Sequence, residues 1–399
     1  MRGARDGHLH YRQGGAVNSN CPSAIPASQS HQPEYWQAPQ SGDFLNPNSN
    51  FAPVITQACF ARIAPDLDIW DAWPIQLPDG TPARMDGGDV LWMALGAPHF
   101  ADPDQRHSHA RIHLLQQSGV HWRHLGPAMP DEFSPGSREW SGSAILLPDI
   151  REVLLFFTAT GRRGERKASF EQRIFSARAT LSANAPYTLT AWRDLAEAFV
   201  RDPAHYMASD AGQGALGTIK AFRDPAYFRD PSDGASYLFF AGSAAHAVSD
   251  YNGVIGLAVA QDAALSRWNL LPPIVNAEGL NNELERPHVV HHGGRYYLFW
   301  STQRHVFNPA GPIGPTGLYG MVSESIAGEW KPLNDTGLVF ANPPTAPAQA
   351  YSWLVMPDLS VTSFVDDWGE DSPGKTRHFG ASFAPFLQLH ITGNRVSLV

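Results

Sequence analysis

Asp224-Pro225 is followed by Gly234-Ala235-Ser236-Tyr237-Leu238-Phe239, and Glu285-Arg286-Pro287 by Gly294-Arg295-Tyr296-Tyr297-Leu298-Phe299. Each copy sets a carboxylate beside a proline, then a turn glycine, then an aromatic run of strand composition. Repeated four-stranded units whose equivalent strands carry carboxylates are what a β-propeller produces, because radial packing gathers the innermost strands around one axis. Outward from this pair, short β-like runs recur between turn residues, at 90–95, 111–115, 153–158, 237–241, 254–259, 296–300, 318–322 and 386–391. Helical periodicity is confined to one short candidate, 190–199.

Composition agrees with an all-β chain. The 399 residues include 35 Gly and 33 Pro beside 12 Trp and 21 Phe, a mixture of turn formers and strand aromatics. With 38 acidic residues against 29 Lys and Arg, the net charge of −9 excludes nucleic-acid binding by bulk charge. No run of apolar residues is long enough to span a bilayer, so no membrane role is read. Residues 1–50 are poor in aliphatics and rich in Ser, Asn, Gln, Pro and Gly, and read as a mostly unpacked tail before a single domain over 51–399. Arg2, Arg5 and Arg12 lack a following apolar segment, so 1–15 does not read as a cleavable export signal. Cys21 and Cys59 are too few to staple the fold; two unpaired thiols are the expectation, one disulfide the alternative.

Several motifs carry less than they suggest. Gly212-Gln213-Gly214-Ala215-Leu216-Gly217 matches the dinucleotide fingerprint, but Pro225 follows too soon for the helix that motif must open. His107, His109 and His113, and His288, His291 and His292, lack the spacing and the cysteines of a zinc site and read as structural. No metal and no cofactor is expected. What remains is a set of carboxylates in aromatic or Arg-rich company: Trp70-Asp71-Ala72-Trp73-Pro74, Arg138-Glu139-Trp140-Ser141-Gly142, Phe222-Arg223-Asp224-Pro225 and Glu283-Leu284-Glu285-Arg286-Pro287. Aromatic faces beside carboxylates suit a sugar, whose ring face stacks while its hydroxyls need acceptors. Retaining glycoside cleavage needs one carboxylate as nucleophile and another as acid/base.

From about Leu67 to the C-terminus these motifs resemble the levansucrase, inulosucrase and bacterial β-fructofuranosidase family, glycoside hydrolase family 68. The resemblance implies a five-bladed β-propeller with a central funnel-shaped active site. It also implies a sucrose-cleaving retaining fructosyltransferase that forms a covalent fructosyl-enzyme. Predominantly hydrolytic β-fructofuranosidase and inulosucrase activity stand as alternatives. By that resemblance Asp71 is the nucleophile, Asp224 the carboxylate that holds the fructosyl hydroxyls, and Glu285 the acid/base, its pKa expected to be raised by Asp71. Trp70, Trp140, Ser141, Arg223, Glu283, Gln303 and Tyr351 match the sugar-contacting shell. Arg-Asp-Pro occurs three times, and only the copy at Asp224 has the family's following pattern, so Asp202 and Asp230 are set aside. Gln303 stands where the family often carries Arg or His near the acceptor, with Arg304 and His305 beside it. Asn282 and Thr218 stand where calcium-binding members carry Asp, so no calcium is expected. Sucrose and fructooligosaccharides are the expected partners of a secreted monomer.

Overall fold

The computed structural model describes residues 32–46, 48–211, 218–371 and 376–399. The glycine motif at 212–217 and Cys21 lie outside them. Strand β1 (Glu34–Tyr35) precedes five antiparallel units. The first comprises β2 (Leu67–Gln76), β3 (Val90–Pro98), β4 (Arg111–Ser118) and β5 (His121–Pro127). The second comprises β6 (Arg138–Leu147), β7 (Glu152–Thr160), β8 (Gln172–Leu181) and β9 (Leu189–Glu197). The third comprises β10 (Phe222–Arg229), β11 (Ser236–Ser243), β12 (Gly253–Ala260) and β13 (Trp268–Asn276). The fourth runs through β14 (Glu285–His292), β15 (Arg295–Thr302), β16 (Gly317–Ser323), β17 (Lys331–Pro332) and β18 (Leu338–Ala341). The fifth holds β19 (Ala350–Val355), β20 (Ser360–Val365), β21 (Leu387–Thr392) and β22 (Arg395–Leu398).

The first strand of each unit is innermost. Contacts run β2 to β6, β6 to β10, β10 to β14, β14 to β19 and β19 back to β2, which closes a ring and makes the units the blades of a five-bladed propeller. Apolar side chains fill the wedges between blades. Ile145, Leu154 and Phe156 of the second blade meet Phe222, Leu238 and Phe240 of the third, and Phe239 and Leu257 of the third meet Leu298 and Trp300 of the fourth. Each such burial contributes roughly 1.5–3 kcal/mol.

All five inner strands share one irregularity. The ladder slips between Trp70 and Trp73, Trp140 and Gly142, Arg223 and Ala226, Glu285 and His288, and Tyr351 and Leu354. Four of these bulges hold a left-handed residue: Asp71 (φ 46°), Asp224 (φ 63°), Arg286 (φ 48°) and Ser352 (φ 62°). A bulge turns the side chain toward the axis and ends regular pairing, which is why Pro225 and Pro287 are tolerated inside central strands. In the second blade the bulge brings backbones close, and a Cβ on Gly142 would stand 1.9 Å from the Phe156 carbonyl oxygen.

Two expectations are overturned. Of residues 190–199, those up to Glu197 belong to β9, and none is helical. Positive φ at Ala191 and Asp194 and two ladder slips space the inward residues Leu189, Trp192 and Leu195 three apart, which imitates a helical period. The unpacked tail does not extend to residue 50, because β1 pairs in parallel with β13. Trp36 and Phe44, each 1% exposed, enter an aromatic cluster with Trp300, Phe307 and Tyr319. Two aromatic anchors do there what the missing aliphatics were expected to do.

Replacing Gly142 by Ala should lower stability by about 3 kcal/mol or more through the backbone clash. Gly311→Ala, where the nearest atom to the new Cβ is 3.9 Å away, should stay within about 0.5 kcal/mol. Thermal unfolding of the two variants checks the contrast.

Candidate active site

The bulges aim their side chains at the N-terminal ends of the inner strands, where a cavity of about 470 Å³ opens on the axis. Asp71, Asp224 and Glu285 line it from the first, third and fourth blades. Trp70, Trp140, Ser141, Arg223, Glu283, Gln303 and Tyr351 line it as well. Every candidate residue is therefore brought to one pocket. Asp202 and Asp230 are not. The Asp202 carboxylate accepts from the Ala204 N–H in an exposed turn, and Asp230 accepts from Tyr296 Oη at 2.6 Å and caps the turn at Ser232.

Arg223 organises the pocket. Its Nη2 donates to Glu285 Oε1 at 2.7 Å and Glu283 Oε2 at 3.1 Å, and its Nε lies 3.5 Å from Asp224 Oδ2. Its Nη1 is buried with no acceptor among the described residues. Asp224 is fixed further by its own N–H, which donates to Thr158 Oγ1 at 2.9 Å, and it accepts from the Arg286 N–H at 3.4 Å. Asp71 accepts from Ser141 Oγ at 2.9 Å, which leaves its other oxygen, Oδ1, for the cavity. Tyr351 Oη donates to Glu285 Oε2.

Burial, reinforced by the Glu285 and Asp71 charges, pushes Asp224 up to about 7, with Arg223 pulling the other way. Burial and Glu285 likewise push Glu283 up to about 7. Glu285 departs from expectation. Burial raises it, but Arg223 and the Tyr351 hydroxyl stabilise its anion more, so it lies below the ordinary glutamate value.

Three features escaped the sequence reading. The Arg286 guanidinium donates to Ser352 O and Oγ, each at 3.1 Å, and to Ala72 O at 2.6 Å, tying the inner strands of the fourth, fifth and first blades together. Arg106 lies 5.4 Å from the Trp70 ring centroid and 4.4 Å from that of Phe379, a cation–π stack at the mouth. His107, read as structural, lines the pocket; burial pushes it down to about 3, and its carbonyl accepts from Trp140 Nε1 at 3.2 Å. Four of the other histidines have packing partners: His113 lies 2.8 Å from His124, His288 accepts from the Val355 N–H at 2.8 Å, His109 stacks on Phe100, and His291 lies against Tyr296. His305 joins Gln303 in the lining, whereas Arg304 is exposed. Arg286 belongs to the Glu285-Arg286-Pro287 motif and His107 to the first histidine cluster, whereas Arg106, on the same short 3₁₀ segment Pro103–Ser108 as His107, has no recognisable pattern.

The position of Asn282 does not suit a divalent cation. The Lys220 ammonium lies 2.8 Å from Asn282 Oδ1, where it would repel one. Among the described residues no helix is long and apolar enough to cross a membrane.

Comparison with known proteins agrees with this geometry. The chain is 32% identical to levansucrase LscC of Pseudomonas savastanoi pv. glycinea over 95% of its own length and 94% of that protein's. It is also 32% identical to a levansucrase of Rahnella aquatilis, over 92% and 94%. It is similar to the solved inulosucrase of Halalkalicoccus jeotgali bound to kestose, with TM-score 0.84 and 31% identity over 92% of this chain and 95% of that one. The family model described as levansucrase/invertase matches residues 29–252 and 246–399, so the chain belongs to glycoside hydrolase family 68.

Proposed function

We propose that the chain cleaves sucrose by a retaining mechanism and transfers the fructosyl unit to a sugar hydroxyl or to water. The observation that carries this reading is the convergence of Asp71, Asp224 and Glu285, from three different blades, on one pocket. The relatives named levansucrase and the inulosucrase bound to kestose support fructosyl chemistry.

Asp71, oriented by Ser141, attacks C2 of the fructosyl unit. The C2–oxygen bond to glucose breaks, and Glu285 gives its proton to the departing glucosyl oxygen. Then Glu285 takes the proton of the incoming hydroxyl, whose oxygen bonds to C2 as the ester to Asp71 breaks. Asp224 and the unpaired Arg223 Nη1 are suited to the fructosyl hydroxyls, one as acceptor and one as donor. The proton required at Glu285 comes from the pair it forms with Glu283: the two carboxyl groups share Arg223 Nη2, and burial together with the Glu285 charge pushes Glu283 toward its protonated form. Entry of substrate between Arg223, Tyr351 and Glu285 loosens the contacts that keep Glu285 ionised. The balance between transfer and hydrolysis belongs to Gln303. A neutral amide there forgoes the charge-assisted hydrogen bond of a cationic residue, worth roughly 1.5–3 kcal/mol, so hydrolysis and short oligosaccharides should be prominent. Action as a monomer outside the cell completes the proposal.

Asp71→Asn should cut glucose release from sucrose by at least about 10³-fold, while Asp202→Asn and Asp230→Asn should stay within roughly threefold. An Asp230 variant as inactive as the Asp71 variant would reassign the stabilising carboxylate.

The pH profile tests the proton source. In wild type kcat/KM should fall tenfold per unit above about pH 7, as the one proton of the Glu283 and Glu285 pair is lost. In Glu283→Gln the group that shares that proton is gone while Arg223 still favours the Glu285 anion, so the alkaline limb should move to lower pH. An unmoved limb would place the proton elsewhere.

At high sucrose, Gln303→Arg should lower the ratio of free fructose to glucose and lengthen the products on chromatography. An unchanged distribution would remove Gln303 from acceptor choice.

A further inference from the structure

Lys220 lies three residues before Arg223 and is 7% exposed. Its ammonium donates to Asn252 Oδ1 and Asn282 Oδ1, each at 2.8 Å, and to the Asp250 carbonyl. An ammonium has three protons and no acceptor, so three oxygens satisfy it. All three are neutral. This is a cation solvated directly by neutral oxygens, as a metal ion can be, while the charges of Asp250 and Glu283 attract it without touching its ammonium among the described residues. The oxygens come from the connection between β11 and β12 and from that between β13 and β14.

The cradle is braced on each side. Asn252 Nδ2 donates to Ala244 O at 2.9 Å, and Asn282 Nδ2 to Ile219 O at 3.2 Å. The Lys220 carbonyl accepts from Gln172 Nε2 at 2.9 Å, while Gln172 Oε1 accepts from the Phe222 N–H at 3.0 Å. Both the backbone and the tip of Lys220 are thus fixed. Next to Asn282 is Glu283, whose carboxylate takes the Arg223 hydrogen bond that also reaches Glu285. Movement of Asn282 would be felt two groups away, at the acid/base.

We propose that Lys220 is a positioning residue, an internal cation that does the work of a bound metal ion by holding Asn252 and Asn282 so that Glu283 and Arg223 face the sugar. The proposal rests on the reading of the pocket as a sucrose site. It differs from a packing role in requiring charge at that spot.

The test uses Lys220→Ala, which leaves a channel the length of the side chain, and Lys220→Met, which fills it without charge. Both should lose at least tenfold in kcat/KM for glucose release from sucrose, most of it in KM, because Glu283 and Arg223 meet the sugar before as well as during reaction. Added n-propylammonium should restore a third or more of the loss in the Ala variant and none in the Met variant, and 1-propanol, of the same shape without charge, should restore none. Propylammonium should also raise the unfolding midpoint of the Ala variant by about 2 °C, a readout independent of activity. Variants within twofold of wild type would overturn the proposal. Rescue by propanol equal to that by propylammonium, or a midpoint that propylammonium does not move, would do the same. Absence of glucose with wild type would refute the sucrose reading, while the midpoint would still decide the role of Lys220.

Discussion

A single guanidinium makes this pocket possible. Arg223 lies within reach of Asp224, Glu283 and Glu285 at once, and without it three buried carboxylates would meet with nothing but repulsion and lost hydration between them. Neutralisation by arginine alone is incomplete. Arg223 and Arg286 face Asp71, Asp224, Glu283 and Glu285, two cations against four carboxyl groups, and the upward push on Asp224 and Glu283, each to about 7, lets protons make up the difference. A fructosyl unit becomes positive at C2 only at the moment of bond breaking, when the carboxylates lining the pocket face it. Carboxylates already held in place by hydrogen bonds favour that moment over the ground state.

The backbone prepares the same result. Asp71, Asp224, Arg286 and Ser352 occupy the equivalent bulge of four inner strands with positive φ, a conformation that costs a non-glycine residue of order 1 kcal/mol or more and persists because the blades on each side over-determine it. Arg286 then hydrogen-bonds across three of those strands. Strained residues and the cation that ties them together therefore stand on the axis itself, while the apolar wedges between blades supply the stability that offsets them.

How much could be read from the chain follows the same division. Middle strands such as 153–158, 237–241 and 296–300 are uninterrupted apolar runs and were legible, as was the carboxylate echo that pointed to radial repetition. The inner strands were legible as motifs but not as strands, because Pro225, Pro287 and the charged residues around them contradict a central strand unless the bulge is known. All ten site residues drawn from the family pattern line the pocket. Arg106, His107 and the role of Arg286 were hidden because their significance is a matter of distance in space. The lowered pKa of Glu285 was hidden for the same reason: it depends on Arg223 and Tyr351, which lie far away along the chain.

A second cavity, of about 420 Å³, lies toward the C-terminal ends of the inner strands and shares Ser141, Asp224, Arg286 and little else with the first. Those residues form a septum one layer thick across the axis. A sugar can enter only through the mouth, and nothing can be threaded past the reacting carbon. For the proposed fructosyl chemistry, such a septum means that a sugar is presented to the carboxylates by its end and that each product leaves by the way it came.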